Sequence, residues 1–383
     1  MDRPAPSAPG DPPRPARLSR GAFAPTLYTE RVLPEDQVVR YARASGYDVA
    51  WTSIGSGPPV VIGGWWSSHL VHDWASSEYR RFFGRLAEHR TLIRYDPPGT
   101  GLSREAGSGS PDIEVLSEAL AAVVDAAVGD RRVSVIGGSS GSPVALAYAA
   151  EHRESVDRLI LYGGFLRGSE LASPSDQKAM VELLRRNWGV SSRVLTDIFL
   201  PDATAAQRAE VARLQRRIAS ADQAASALAA IYDLDATAWA GRVTSDTLVL
   251  HRWGDRAIRF GLGRALADAL PDAILEPLEG SAHFPWYGDA DEVADHMLRF
   301  LGADLPDVRV EVDTMPRAEG IAILTTRERE VMALIADGLT DAQIAVRLHV
   351  SPHTVHRHVA NVRTKLGVGS RAAAAARIAA VGE

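Results

Sequence analysis

Short apolar runs alternate with longer stretches of helical periodicity over most of the chain. The runs lie at 59–64, 91–96, 132–137, 158–163, 247–251 and 273–278, and each ends in a loop rich in Gly, Pro, Asp or Ser. That rhythm predicts βα units wound around a mostly parallel sheet. Ligands of such sheets collect beyond the carboxyl ends of the strands, so the residues that close each run carry the most functional information. Between 165 and 242 the strand signals stop and amphipathic sequence such as 180–188 and 205–219 takes over, which predicts a helical lid over about 166–242.

Beyond residue 302 the pattern changes again. The stretch 302–320 holds Pro306, Pro316 and scattered charges without a sustained period, so it reads as a linker. The final segment is short, helical and punctuated by capping signals. Thr325 with Glu328 and Thr340 with Gln343 fit the S/T-x-x-E/Q box, Ser351 precedes Pro352 as N-cap before a first-turn proline, and a further helix is expected from Ser370 through the alanines to 380. The expected organisation is a disordered Pro-rich tail (1–30), an α/β domain with its lid (31–302), a linker (303–321) and a small all-α four-helix domain (322–383).

At 383 residues the chain exceeds one comfortable core, in keeping with a large and a small domain. No apolar run approaches the roughly 18–20 residues of a membrane span, and the first twenty residues lack the apolar centre of a secretory signal, so a cytoplasmic protein is expected. The absence of cysteine excludes disulfides, thiolate metal sites and a cysteine nucleophile. No metal or other cofactor is called for. Net charge is −6, but residues 322–383 hold eight Arg or Lys against five Asp or Glu. The positive balance sits where a nucleic-acid-binding unit would need it.

The strongest chemical motif is Gly137-Gly138-Ser139-Ser140-Gly141, a G-x-S-x-G between an apolar run and a helical one. Glycines allow the sharp strand-to-helix turn that exposes a serine for attack, which makes Ser139 the candidate nucleophile. A serine needs a base for its proton and a carboxylate to hold that base. Asp255 in His251-Arg252-Trp253-Gly254-Asp255 and His283 in Glu279-Gly280-Ser281-Ala282-His283 both follow strand candidates and occur in that order. Taken singly, Asp255 could be a solvated turn acid and His283 an exposed loop histidine. Trp65, Trp66, Trp74 and Trp286 gather in the loops around these positions, and Trp188 and Phe199 lie in the lid. They are candidate pocket residues for an apolar or aromatic small molecule, or simply lid packing.

From Pro58 to about Leu301 the chain resembles the α/β-hydrolase family. Asp96-Pro97-Pro98-Gly99-Thr100-Gly101-Leu102-Ser103 is similar to its D-x-x-G-x-G-x-S loop, and Gly280-Ser281-Ala282-His283-Phe284 to its histidine loop. The resemblance implies Ser139 as nucleophile, His283 as general base and Asp255 as orienting acid, with Asp96 structural. It also implies an oxyanion hole from the backbone N–H groups of Trp65 and Ser140. The family's usual His-Gly of the early loop is Gly63-Gly64 here, which keeps a backbone donor and removes a supporting imidazole.

Residues 324–380 resemble the LuxR-type helix-turn-helix domain, through Leu324-Thr325-Thr326-Arg327-Glu328-Arg329-Glu330-Val331, Gly338-Leu339-Thr340-Asp341-Ala342-Gln343-Ile344-Ala345, Leu348-His349-Val350-Ser351-Pro352-His353-Thr354-Val355 and Lys365-Leu366-Gly367-Val368. In the third helix Val355, Val359, Val362 and Leu366 repeat at helical spacing and should face the core, turning His353, Arg357, Ala360, Asn361 and Thr364 outward. Arg357 suits a guanine edge and Asn361 an adenine edge, while Thr354, His358, Arg363 and Lys365 suit phosphates. His356 and Ala360 stand where the family commonly places lysines, so weaker phosphate attraction is expected. Double-stranded DNA, a small-molecule ligand or substrate and a homodimer for two half-sites are the implied partners. The function implied is a ligand-responsive transcriptional regulator, or a serine esterase with an accessory DNA-binding domain.

Overall fold

The computed structural model describes residues 37–63, 65–105, 111–305, 324–336, 339, 341–366 and 374. The chain divides into two compact units, Met1–Asp304 and Leu305–Glu383. The Pro-rich tail, most of the linker, Thr340 and all of the expected last helix except Ala374 lie outside the described residues.

The first unit is built on a nine-stranded sheet: β1 (Arg40–Ala44), β2 (Tyr47–Ile54), β3 (Pro59–Ile62), β4 (Thr91–Tyr95), β5 (Arg104–Glu105), β6 (Val133–Gly138), β7 (Val156–Tyr162), β8 (Asp246–Arg252) and β9 (Ala273–Leu278). Its order is β1-β2-β4-β3-β6-β7-β8-β9, with β5 beside β2. All pairings from β4 through β3 to β9 are parallel, and β2 pairs antiparallel with each of its neighbours β1, β4 and β5. The six apolar runs are the six parallel strands. Their Val, Ile and Leu side chains are buried on both faces at β3, β4 and β6, as parallel strands under helices must be.

Helices α1 (Leu70–Ala75), α2 (Ser77–Ala87), α3 (Ile113–Val128) and α4 (Gly141–Glu151) follow strands, as do α10 (Phe260–Asp268) and α11 (Ala290–Phe300). Helix α3 shows why: the Asp112 carboxylate accepts from the Val115 N–H at 2.9 Å, Leu120, Val123 and Val124 face inward, and Gly129 at φ 64° ends it.

Between β7 and β8 run α5 (Pro174–Arg186), α6 (Trp188–Phe199), α7 (Ala205–Ile218), α8 (Ala221–Asp233) and α9 (Thr237–Ala240). Capping boxes Thr204/Gln207 and Ser220/Gln223 start α7 and α8. The two feet of the lid meet: Arg167 bridges Asp235, the Gly168 N–H donates to the Leu234 carbonyl at 2.7 Å and the Ala236 N–H to Leu166 at 3.0 Å. The lid proper is therefore α5–α8, and α9 packs back on α4.

The second unit contains α12 (Thr326–Ala336), α13 (Asp341–Leu348) and α14 (Pro352–Leu366). The box at its start closes in both directions, Thr325 N–H to Glu328 at 2.7 Å and Glu328 N–H to Thr325 Oγ1 at 3.2 Å. Ser351 Oγ caps α14 by accepting from the Thr354 N–H at 3.1 Å. Val355, Val359, Val362 and Leu366 are buried, joining Val331, Met332, Ile344 and Ala345 in the core, as their spacing predicts.

Candidate functional site

Residues 137–141 form the turn from β6 into α4, and Ser139 sits at φ 52°, a left-handed conformation that L-residues with side chains seldom hold. The flanking glycines are required by contact. A Cβ on Gly137 would lie 2.7 Å from Ala145 Cβ and 2.8 Å from the Gly141 carbonyl, and one on Gly138 would lie 2.2 Å from the Trp65 ring. Strand and helix thus cross closely at the turn, and the indole of Trp65 lies directly on Gly138.

Asp255 and His283 leave the ends of β8 and β9 and converge on this turn. His283 Nε2 is 2.8 Å from Ser139 Oγ and its Nδ1 is 2.7 Å from Asp255 Oδ2. That spacing suits Nδ1–H donating to the carboxylate, which leaves Nε2 free to accept the serine proton. The other carboxylate oxygen accepts the N–H groups of Ala257 (2.9 Å) and Ile258 (3.1 Å). Burial alone would push the Asp255 carboxyl up, but the His283 charge and hydrogen bond, His251 and the Ile258 N–H together hold it below the ordinary carboxylate range. His251, fully buried beside it, is lowered by burial and engages the Ile258 carbonyl at 2.8 Å.

The histidine loop is held from two sides. Arg252 is 2% exposed and pairs with no carboxylate among the described residues; its guanidinium donates to the carbonyls of Ala282 (2.8 Å), Phe284 (3.2 Å) and Asp289 (3.4 Å), the first two flanking His283. From the lid, the Phe199 carbonyl accepts the His283 N–H at 2.7 Å and the Phe199 ring stacks on the imidazole. Sequence reasoning missed Arg252 and this role of Phe199, because neither carries a motif.

Asp96 is fully buried and ties three loop segments together. It accepts from Ser68 Oγ (2.9 Å), the Leu70 N–H (3.0 Å) and the Leu102 N–H (2.8 Å), and a Cβ on Gly101 would strike its carboxylate. Burial raises its carboxyl to about 6 against those hydrogen bonds.

A cavity of about 670 Å³ lies between the lid and the strand ends. Its walls are the loop Trp65–Ser68, the loop Pro97–Gly101, Ser140, Gly141 and Val144 at the start of α4, and one face of α8 including Ala224, Ala227 and Ala230. Among the described residues no Lys, Arg or His lines it, and the one lining carboxylate, Asp222, sits exposed and 3.8 Å from Arg185. The cavity reaches the β6–α4 turn through Trp65, Ser140 and Gly141; Ser139 and His283 are themselves buried and do not line it. Trp65 and Ser140 both line the cavity, and their backbone N–H groups donate to no other group among the described residues.

The expected aromatic pocket divides accordingly. Trp65 and Trp66 line the cavity, whereas Trp74 and Trp286 do not. Trp74 is buried under the Arg94 guanidinium at 4.3 Å, and Trp286 stacks on Phe284 and meets Tyr79 edge-on in the packing beneath the site. Trp188 meets Trp66 edge-on and donates to the Ala219 carbonyl at 2.9 Å. Among the described residues no group of three metal-ligating side chains is assembled, and no helix is long and apolar enough to cross a membrane.

On α14, Arg357 and Asn361 are exposed, and Thr354, His356, His358, Ala360 and Arg363 are half-buried. The side chains of His353 and Thr364 lie outside the described residues. His356 Nδ1 stands 4.0 Å from the Asp341 carboxylate. Lys365, expected at a phosphate, donates to both carboxylate oxygens of the buried Glu328 at 2.9 and 2.7 Å and so ties α14 to α12. Charge pairing inside the small core takes that ammonium.

Comparison with known proteins is decisive for the family. Residues 60–313 match the model of the alpha/beta hydrolase fold, and residues 322–378 that of bacterial regulatory proteins of the luxR family. The chain belongs to the α/β-hydrolase fold family. It carries, in addition, a C-terminal LuxR-type helix-turn-helix DNA-binding domain. It is 29% identical over 264 residues to a pimeloyl-[acyl-carrier protein] methyl ester esterase of Xanthomonas campestris, covering 65% of this chain and 97% of that one. It is 26% identical over 237 residues to a 2-hydroxy-6-oxo-2,4-heptadienoate hydrolase of Pseudomonas putida, covering 58% and 81%. The chain spans only 6% to 31% of the length of the curated regulators it matches. An esterase structure from Exiguobacterium antarcticum superposes with a TM-score of 0.61 at 20% identity, over 70% of this chain and all of that one, a likeness of fold.

Proposed function

We propose that this chain is a DNA-binding regulator whose hydrolase domain binds an uncharged acyl ester in the lid cavity and cleaves it through Ser139, His283 and Asp255. The observation that carries the reading is the unbroken hydrogen-bonded series from Ser139 through His283 to Asp255 at 2.8 and 2.7 Å. His283 takes the serine proton as Ser139 Oγ attacks the ester carbonyl, and the Trp65 and Ser140 N–H groups receive the developing oxyanion. The imidazolium, steadied by Asp255, then protonates the departing alkoxide, and water releases the acid from the acyl-serine. The cavity's apolar walls and the lack of cations among its described lining residues favour a neutral chain, and similarity to a methyl ester esterase supports an ester bond. The test is covalent labelling with a small fluorophosphonate together with hydrolysis of acyl nitrophenyl esters. Both should be present in the wild type and absent in Ser139→Ala; a panel with no Ser139-dependent turnover overturns the enzymatic part.

For the C-terminal domain, the proposal is that α14 enters the major groove, with Arg357 and Asn361 at base edges and Thr354, His356, His358, Ala360 and Arg363 along the backbone. Lys365 serves the fold instead, through Glu328. Two copies would cover two half-sites. Arg357→Ala should weaken binding to DNA from the protein's own upstream region by roughly 1–3 kcal/mol, and unchanged binding in a mobility-shift titration counts against the groove assignment. A second reading, an esterase with an accessory DNA-binding domain, is favoured by the complete series at Ser139; it predicts that Ser139→Ala and ester occupancy leave transcription from a bound promoter unchanged.

A further inference from the structure

The residue that finishes the lid helix α6 is also the residue that holds the base. Phe199 is 9% exposed, its ring lies 5.5 Å from the His283 imidazole at an interplanar angle of 26°, and its carbonyl accepts the His283 N–H at 2.7 Å. Three residues on, Asp202 accepts a hydrogen bond from Ser281, two residues before His283. The same ring touches Phe284 at 5.2 Å and Trp66 at 6.3 Å, and Trp66 is a wall of the cavity. Ser139 and His283, meanwhile, lie buried outside the cavity's lining.

These contacts leave the imidazole with little freedom that the lid does not control. Asp255 fixes one edge, Ser139 the other, and the flat face and the backbone N–H of His283 are both held by Phe199. Ser139 and His283 form a buried pair, and the covering element at the histidine is the end of α6. Moving α6 then withdraws the stacking ring and the carbonyl together.

We infer that Phe199 is a positioning residue through which the lid sets the orientation of His283, so that lid closure and assembly of the base are one event. The inference rests on the assignment of Ser139 and His283 proposed above. Trp66 gives a route from ligand to base, because a chain that fills the cavity bears on Trp66, and Trp66 bears on Phe199. An imidazole displaced by about 1 Å from its productive geometry is expected to cost on the order of 100-fold in rate, whereas ground-state binding of a short ester that leaves the α8 end of the cavity empty should hardly change.

The test compares full-length wild type with Phe199→Leu, which keeps apolar volume and removes the flat ring, and Phe199→Tyr, which keeps the ring. Expected for Phe199→Leu is a roughly 10- to 100-fold fall in kcat on an acetyl ester with KM within about threefold, a matching fall in fluorophosphonate labelling of Ser139, and loss or broadening of the low-field proton signal of His283 Nδ1–H. Phe199→Tyr should restore all three. Wild-type labelling rate and an unaltered Nδ1–H signal in Phe199→Leu overturn the inference, as does failure of Phe199→Tyr to recover while its thermal unfolding matches the wild type. If the wild type itself shows no Ser139 labelling, the hydrolytic reading is what fails, and the Nδ1–H signal alone then decides whether Phe199 holds the imidazole.

Discussion

Adding one methyl group at Gly138 tests whether Trp65 is the brace of the oxyanion loop. The new Cβ of Gly138→Ala would stand 2.2, 2.6 and 2.7 Å from three carbons of the Trp65 six-membered ring, all inside contact distance. The indole has little room to retreat: it is 5% exposed and held edge-on by Trp286 at 4.9 Å and Phe284 at 6.1 Å. Either the ring shifts and carries the Trp65 backbone with it, or β6 bends away from it at the nucleophile. Overpacking of this kind costs about 1–3 kcal/mol of stability. Displacing one oxyanion donor costs a further 10²- to 10³-fold in turnover, on the order of 3–4 kcal/mol of transition-state stabilisation. The assay is the rate of Ser139 labelling and of acetyl ester hydrolysis, with the midpoint of thermal unfolding measured alongside. A double substitution that also makes Trp65→Phe frees the space of the larger ring and should recover much of both losses, a coupling that independent sites would not show. Gly138→Ala labelling and unfolding like the wild type would refute the brace, since the Trp65 ring would then have moved aside at no cost to the loop.

Three further outcomes concern other parts of the molecule. Asp73 is buried, accepts the His69 N–H at 2.9 Å and has its carboxyl raised to about 7 by burial, then by Asp96, against that hydrogen bond and Arg94. Its folded-state value is above its unfolded one, so the fold binds the extra proton and this contribution to stability is lost as pH rises from about 4 to 7; Asp73→Asn should match the wild type near pH 4 and exceed it by about 2–4 kcal/mol at pH 8 in denaturant titrations, and parallel curves would sink the assignment. Ala227→Phe on α8 narrows the cavity, so the octanoyl-to-acetyl ratio of kcat/KM should fall about 10-fold, and an unchanged ratio would mean that acyl chains lie elsewhere. His349 ends α13 at φ 54°, with the Val350 N–H returning to the Ala345 carbonyl and the His349 N–H to Val346, so His349→Gly should stabilise the C-terminal domain by roughly 1 kcal/mol in its own unfolding transition; a loss of stability would show that the imidazole, and not the backbone, decides that turn.

The parallel strands were legible because burial on both faces forces continuous apolar runs. The hairpin β1–β2 was not, because the edge strand β1 has one wet face and alternates weakly, Tyr41 being exposed, while in β2 the half-buried Asp48 interrupts the apolar positions at the turn end. The dipeptide Ser45-Gly46, with φ of 46° and 82°, is the turn signal that could have revealed it. In the lid, one helix was expected across 180–188, but Asn187 ends α5 and caps α6 through the Val190 N–H at 3.3 Å; an Asn inside an amphipathic pattern gives no warning of which role it takes. The order Ser, Asp, His was legible, since each residue lies in the segment that follows a strand. What sequence could not rank was the tryptophans, because burial beneath a site and exposure within it look alike along a chain. Nor could it foresee that Lys365 is taken up by Glu328, for a pair 37 residues apart leaves no local trace.

The pinned feet of the lid make helices α5–α8 a detachable cassette. Arg167 and Asp235 are bridged, with backbone hydrogen bonds on either side, so the residues between them leave the sheet and return to nearly the same point. An insertion held this way adds little to the chain-closure cost of the sheet, which grows only slowly with loop length. Lids of other lengths could be exchanged at these two positions without altering strand order or register, and with them the chain length admitted to the cavity. The histidine would feel such an exchange first, because the cassette also brings Phe199.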